Sequence, residues 1–218
     1  GAGFSAEIIN LLDGNSRDNW FRPSDVTVAP DGSLFISDWY DPGVGGHAMG
    51  DLDKGRVFRL APKGVDYKVN KPDYSSISSL IGLLQNPNRA THFKAFMALV
   101  EKGGEAKDAL ERLYTEGESR MKARAFWVLT KLPNGNDYIK TAATDTDENI
   151  RVAAIRAYRN NKVSDVSFLL EMAADPSAQV RREVALAIRY KSNPEVWLKL
   201  VSGYESGDRW YLEALGIA

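Results

Sequence analysis

The sequence predicts a mainly α chain: an α-solenoid of about four to five helix pairs behind a small N-terminal antiparallel β-sheet. Three observations predict it. Apolar residues alternate with period two over roughly the first 63 residues, then switch to helical spacing from Pro72 onward. Between the two, "PKGVDYKVNKPDYSS" has turn residues and no period. The helical part then repeats itself every 29 or 30 residues, the mark of a stacked array. The boundary is expected between residues 66 and 67, giving a β segment over 1–66 and helical repeats over 67–218.

The front elements follow from local chemistry. "AEIINLLDG" (residues 6–14) alternates enough to be expected as a strand. "DVTVAP" and "SLFISDWY" flank Asp31-Gly32, a strong hairpin signal. "GRVFRLAP" (residues 55–62) supplies a third strand, with Val57 and Phe58 between Arg56 and Arg59. A lone small sheet has open edges and an uncovered face. It is expected to pack on the first helices through Trp20, Phe21, Phe35, Trp39, Tyr40 and Phe58, with some of these left exposed.

In the helical part, residues 94–99, 124–129, 153–158 and 183–188 align, at offsets of 30, 29 and 30. Three units share an acid, a base six residues on, and a small or aliphatic residue three further: Glu116/Lys122/Ala125, Asp145/Arg151/Ala154 and Asp175/Arg181/Val184. The first unit has Asn86, His92 and Ala95 instead, and a fifth, incomplete unit ends in "GDRWYLEALGIA". The acid stands before a helix start, where it can cap free N–H groups or face the positive helix end. The base, a turn into the helix, is placed to reach its own acid or the neighbouring turn. The small residue admits the next helix, so each pair buries its apolar face on a neighbour. Trp127, Tyr158, Trp197 and Trp210 fall at helical spacing and are read as core or inter-repeat packing.

This pattern resembles HEAT repeats, with "DPSAQVRREVALAI" the nearest match. "FRPSDVTVAPDGSLFISDWYDPGVGGHAMGDLDKGRVFRLAPKG" (residues 21–64) resembles a blade of an NHL or sugar-dehydrogenase β-propeller. Its DWYDPGVGGH-x-MGD run, followed by GRVFR, the repeats and RWYLEALGI, is similar to membrane-bound-dehydrogenase-like proteins, which join a propeller to HEAT repeats and a c-type cytochrome domain. The resemblance implies a final propeller blade plus repeats cut from a larger protein, since one blade is no propeller. It also implies a parent that is an exported dehydrogenase, periplasmic or in the outer cell envelope. That parent would oxidise sugars or alcohols with a quinone cofactor, calcium and c-type haem. This stretch lacks Cys-x-x-Cys-His and is itself expected to be a non-catalytic scaffold without cofactor. Its expected partners are other domains of the parent chain or another protein; a stand-alone repeat adaptor is the alternative.

Composition narrows the chemistry. The 218 residues carry 28 basic and 29 acidic side chains, a net charge of −1, and no cysteine. Thiol nucleophiles and cysteine-ligated metals are excluded within the chain, and no global charge draws it to nucleic acid. No apolar run reaches the roughly 18 residues a membrane span needs. The opening "GAGFSAEIINLL" has no Met and reads as a processed or excised beginning.

One loop concentrates chemistry: "SDWYDPGVGGHAMGD" (residues 37–51) holds Asp38, Asp41, His47 and Asp51, with Asp53 just beyond. Hard carboxylate oxygens suit calcium, and one His suits a mixed metal or cofactor site. In the structural alternative, the aspartates cap turns and His47 bonds a backbone carbonyl. The glycine run lacks Gly-Lys-Ser/Thr and leads toward a strand, so it is no phosphate cradle. No Gly-x-Ser-x-Gly is present for acyl transfer. His92 in a base slot and Asp145/Asp147 at a helix start are read as structural. Arg151, Arg156, Arg159, Arg181, Arg182, Arg189 and Lys191 form a basic strip, interleaved with Asp145, Asp147, Asp165, Asp175 and Glu183. It is read as a salt-bridged face rather than a nucleic-acid groove.

Overall fold

The computed structural model describes residues 1–13, 21–39, 54–64, 66, 68–69, 71–191 and 193–218. It is mainly helical with one small antiparallel sheet, as the periods predict. Three strands come first: β1 (Pro23–Val28), β2 (Leu34–Asp38) and β3 (Arg56–Leu60). Then come α1 (Ile77–Leu84), α2 (Arg89–Lys102), a 3-10 turn (Gly103–Ala106), α3 (Lys107–Glu116), α4 (Ser119–Leu129) and α5 (Gly135–Ala143). The rest are α6 (Glu148–Asn160), α7 (Val166–Met172), α8 (Ala178–Ile188), α9 (Pro194–Ser202) and α10 (Arg209–Ile217). The chain divides into two compact units, Glu7–Ala95 on one hand and Gly1–Ala6 with Phe96–Ala218 on the other. The change from strand to helix lies between Leu60 and Ile77, while the division between units falls inside α2.

In the unit Glu7–Ala95 the sheet order is β1-β2-β3, antiparallel throughout. The hairpin turns at Asp31-Gly32, where Gly32 holds φ +84°, a conformation that a Cβ disfavours. Asp31 Oδ1 accepts from the Ser33 backbone N–H at 2.9 Å and from its hydroxyl at 2.6 Å. Arg59 donates to Oδ2 at 2.6 Å. The register sets Val26, Ile36 and Phe58 abreast, beside Val28, Leu34 and Leu60, on one face. Of these six only Ile36 is buried.

Phe35, Trp39 and Phe58 of the expected seam are exposed, and Phe21 is half-buried edge-on to Phe58 at 5.8 Å. Trp20 and Tyr40 lie outside the described residues. The tie between hairpin and helix is polar: buried Asn88 donates to Ala29 O at 3.0 Å and accepts from Thr91 N in the first turn of α2 at 3.0 Å. The strand expected at residues 6–14 is corrected, because residues 6–13 carry no regular secondary structure and Ile8, Ile9 and Leu11 are exposed. Alternation alone makes no strand without a ladder partner.

In the helical unit, α3/α4, α5/α6, α7/α8 and α9/α10 pack as successive pairs, and α4, α6, α8 and α10 follow one another in contact. Polar caps start α6, α7 and α10: Asp147 Oδ1 accepts from Asn149 N at 2.8 Å, Asp165 from Phe168 N at 3.2 Å, and Asp208 from Tyr211 N at 3.1 Å. Ser177 opens α8 in the same way, and Pro194 stands in the first turn of α9. Phe126, Ile139, Ile150, Ile155, Val180, Ile188 and Leu200 are essentially fully buried in one core, each stabilising by about 1.5–3 kcal/mol through removal from water. The small slots Ala125, Ala154 and Val184 are wholly buried, as close helix packing requires.

One core member has no counterpart in the repeat. Ala2 is fully buried; its N–H donates to Asp208 Oδ2 at 2.6 Å, and its carbonyl accepts from Arg182 Nη1 at 2.7 Å. Gly3 lies against Trp210, so closely that a Cβ there would sit 2.2 Å from the indole.

Candidate functional site

Of the loop residues, the structure describes Asp38; Asp41, His47, Asp51 and Asp53 lie outside the described residues. Asp38 ends β2, opposite Arg56 of β3 in register. Its side chain is wholly buried and both oxygens are used. Oδ1 accepts from Arg22 N at 2.7 Å, and Oδ2 accepts from Arg56 Nε at 2.9 Å and Nη2 at 2.6 Å. Trp39 N donates back to Arg22 O at 2.9 Å. This carboxylate clasps the chain entering β1 to β2 and β3, and the guanidinium carbon of its partner Arg56 lies 5.1 Å from the Phe58 ring centre. Such a carboxylate is a fastener; its lone pairs are already engaged by the sheet.

The repeat acids and bases form a second constellation, and it runs between layers. Lys122 pairs with Asp145 of the next unit. Arg151 makes a two-pronged contact with Asp175, Nε to Oδ2 at 2.7 Å and Nη2 to Oδ1 at 2.9 Å. Its Nη1 donates to the carbonyl of Asp145 in its own turn at 2.9 Å. Arg151 therefore grips its own loop by the backbone and the following loop by the carboxylate. The acids also fasten their own turns: Asp145 accepts from Asp147 N at 2.9 Å and Asp175 from Ser177 N at 2.7 Å. The helix caps proper are two residues further, at Asp147 and Ser177.

Glu116 departs from the scheme. It is the last residue of α3, exposed, and makes no ion pair among the described residues. Arg181 repeats the grip on its own turn, Nη1 to Asp175 O at 2.8 Å and Pro176 O at 2.9 Å. Its Nη2 donates to Gly203 O at 3.1 Å, and its guanidinium carbon lies 5.4 Å from the Tyr211 ring centre.

Sequence reasoning missed the fifth unit's own slots. Continuing by 30 from Asp175, Arg181 and Val184 gives Glu205, Tyr211 and Ala214. Tyr211 fills the base position, is 1% exposed, and donates its hydroxyl to Leu200 O at 2.8 Å. The offset was the available signal; a tyrosine in a basic slot hid it.

Much of the basic strip is tied down within the chain. Buried Glu183 takes Arg156 at 3.0 Å and Arg159 at 3.7 Å. Arg182 holds Ala2, and the guanidinium of Arg189 lies 5.2 Å from the Tyr190 ring centre. Among the aromatics, Tyr158 is buried and stacked on Phe168 at 4.9 Å, and Trp127 packs edge-on to Phe126. Trp197 is partly exposed, with its indole N–H on Leu215 O at 3.2 Å. Trp210 corrects the packing expectation: it is 55% exposed, with its indole against Gly3. Tyr138, donating to Glu111 at 2.5 Å, is pushed up to about 12, first by burial and then by that carboxylate.

Among the described residues, no three His, Asp or Glu side chains gather as a metal site, and no helix is long and apolar enough to cross a membrane. A family model described as a domain of unknown function, DUF7133, matches residues 9–63. No curated protein matches the chain.

Proposed function

We propose that this chain is a non-catalytic scaffold and protein-interaction segment of a larger sugar- or alcohol-oxidising dehydrogenase of the membrane-bound-dehydrogenase-like kind. In this reading HEAT-like repeats follow a propeller blade and hold the propeller relative to an electron-accepting domain or a protein partner. The parent is exported and carries the quinone cofactor, calcium and c-type haem elsewhere. One observation carries the scaffold role: charged residues of the repeats are spent between layers. Lys122–Asp145 and Arg151–Asp175 each join one unit to the next, and Asp38, at the head of the candidate loop, has both oxygens engaged within the sheet. Residues that bind one another in this way stiffen an array, and a stiff array serves spacing and docking. The dehydrogenase assignment rests on the resemblance of residues 21–64, because fold alone does not fix function.

The test is His47→Ala and Asp51→Ala in the full-length protein, with turnover of sugar substrates and unfolding measured together. Retained turnover at unchanged stability is the expected result. Lost turnover at unchanged stability would move the loop of residues 38–51 into the active site and overturn the scaffold reading. Capture of a partner by this chain without a propeller would instead make it a stand-alone adaptor.

A further inference from the structure

The helical unit already holds one short peptide segment, its own. Residues 1–3 lie on α8 and α10 and belong to the same compact unit as those helices. Three side chains take the segment by its main chain. Asp208 Oδ2 accepts from Ala2 N at 2.6 Å, Arg182 Nη1 donates to Ala2 O at 2.7 Å, and Gln179 Nε2 donates to Gly3 O at 3.4 Å. The other oxygen of Asp208 caps α10, accepting from Tyr211 N at 3.1 Å, so the carboxylate is placed by the helix itself and not by the segment. The side chain of Ala2 is fully buried in the core, where close packing leaves no room for a larger one. At the next position a Cβ would lie 2.2 Å from the Trp210 indole, so glycine alone seats there without moving the ring. These contacts read a main chain, a small residue and a glycine after it. Main-chain bonds of this kind supply affinity, and the two close fits supply the choice of sequence.

The hold on the segment is local. Residues 4–13 are exposed and carry no helix or strand. Release gives up three hydrogen bonds and the burial of one alanine, an opening far smaller than unfolding of the array. We propose that this groove of α8 and α10 is a peptide-binding site in which Asp208, Arg182, Gln179 and Trp210 receive an Ala-Gly segment of a partner protein in exchange for residues 1–3. The chain's own segment covers the site when no partner is bound, and as a tethered ligand it raises the partner concentration needed. This goes beyond the scaffold reading and does not depend on it, since every contact lies within one unit.

The probe is a peptide with the sequence of residues 1–6, GAGFSA, acetylated and amidated so that it carries no terminal charge, titrated into the whole chain. The readout is the indole N–H resonance of Trp210, identified by its loss in Trp210→Phe. Ala2→Asp opens the site by setting a second carboxylate in a buried position beside Asp208; Gly3→Val opens it by contact with the indole. In either variant, with helix content unchanged, the resonance should leave its natural position and return to it saturably as peptide is added. The natural chain should need at least about tenfold more peptide, because its own segment competes. Adding Arg182→Gln to Ala2→Asp should weaken the titration about tenfold, through loss of a charge-assisted hydrogen bond. No saturable return in the opened variants would overturn the proposal and leave residues 1–3 a structural strap. An equal response to a peptide carrying Ala2→Asp would overturn it as well, for then the groove reads no sequence.

Discussion

At the scale of single residues, burial decides what a carboxylate is for. Asp38 and Asp175 are both buried and both bonded by an arginine fork and a backbone N–H. In water these contacts are worth little; inside, removing one partner leaves the other charge unmet. Asp38→Asn should destabilise the chain by about 2 kcal/mol in urea unfolding, since charge-assisted hydrogen bonds of this kind contribute about 1.5–3 kcal/mol. The half-exposed side of Arg56 keeps the cost below that of a fully buried pair. In the ladder, a double-mutant cycle on Arg151/Asp175 should give a larger coupling than one on Lys122/Asp145. Arg151 makes two bonds from a rigid fork at 13% exposure, while Lys122 offers one point charge at 26%. Equal couplings would contradict the two-pronged geometry. The spacing of acid and base was legible, but it left open which acid each base meets, its own or the neighbour's. That depends on the distance between layers, which no local pattern encodes.

Carboxyls at helix starts contribute to the pH dependence. The carboxyl of Asp147 is held below its ordinary 3.8, chiefly by the Ser119 hydroxyl, then by Asn149 N, and to a lesser degree by Lys122. Asp165 is held down likewise by Ser167 and Phe168 N. The folded carboxyls ionise at lower pH than the unfolded ones. Their contribution is therefore full above about pH 5 and is lost as the pH falls through the folded value. Unfolding free energy measured from pH 7 down to pH 3 should fall in acid, and Asp147→Asn should shallow that fall while lowering stability at neutral pH. A slope unchanged by the substitution would remove Asp147 from the account. Most elements were legible because caps and periods act within a few residues: Asp147 marks a helix start in the sequence as it does in space. The failed strand at residues 6–13 had a pattern but no partner, and pairing is a long-range matter.

Across the whole molecule, order follows burial. The core of α4 to α10 is continuous, whereas every residue of β1 is exposed and the apolar face of the sheet keeps only Ile36 buried. Native-state hydrogen exchange should find the slowest amides in α6 and α8, with those of β1 and β2 exchanging markedly faster, because local opening of a thinly covered sheet costs less than opening the core. Equal protection would require cover for the sheet beyond the residues described. The contact of Ala2 with Asp208 and Arg182 also belongs to this scale, since it joins the first residues to α8 and α10.

By itself the sequence determined the switch from period two to helical spacing, the hairpin at Asp31-Gly32, the 29- to 30-residue repeat and its small packing slots. All of these are set by contacts within a turn or two of the chain. Only the tertiary structure decided that Asp38 meets Arg56, that Arg151 reaches forward to Asp175, that the Tyr211 hydroxyl meets Leu200 O and that Arg181 turns its Nη2 to Gly203 O. The physical reason is reach: propensity and capping are fixed by neighbours in sequence, whereas the partner of a buried charge is fixed by whatever the packed layers bring within three ångströms of it.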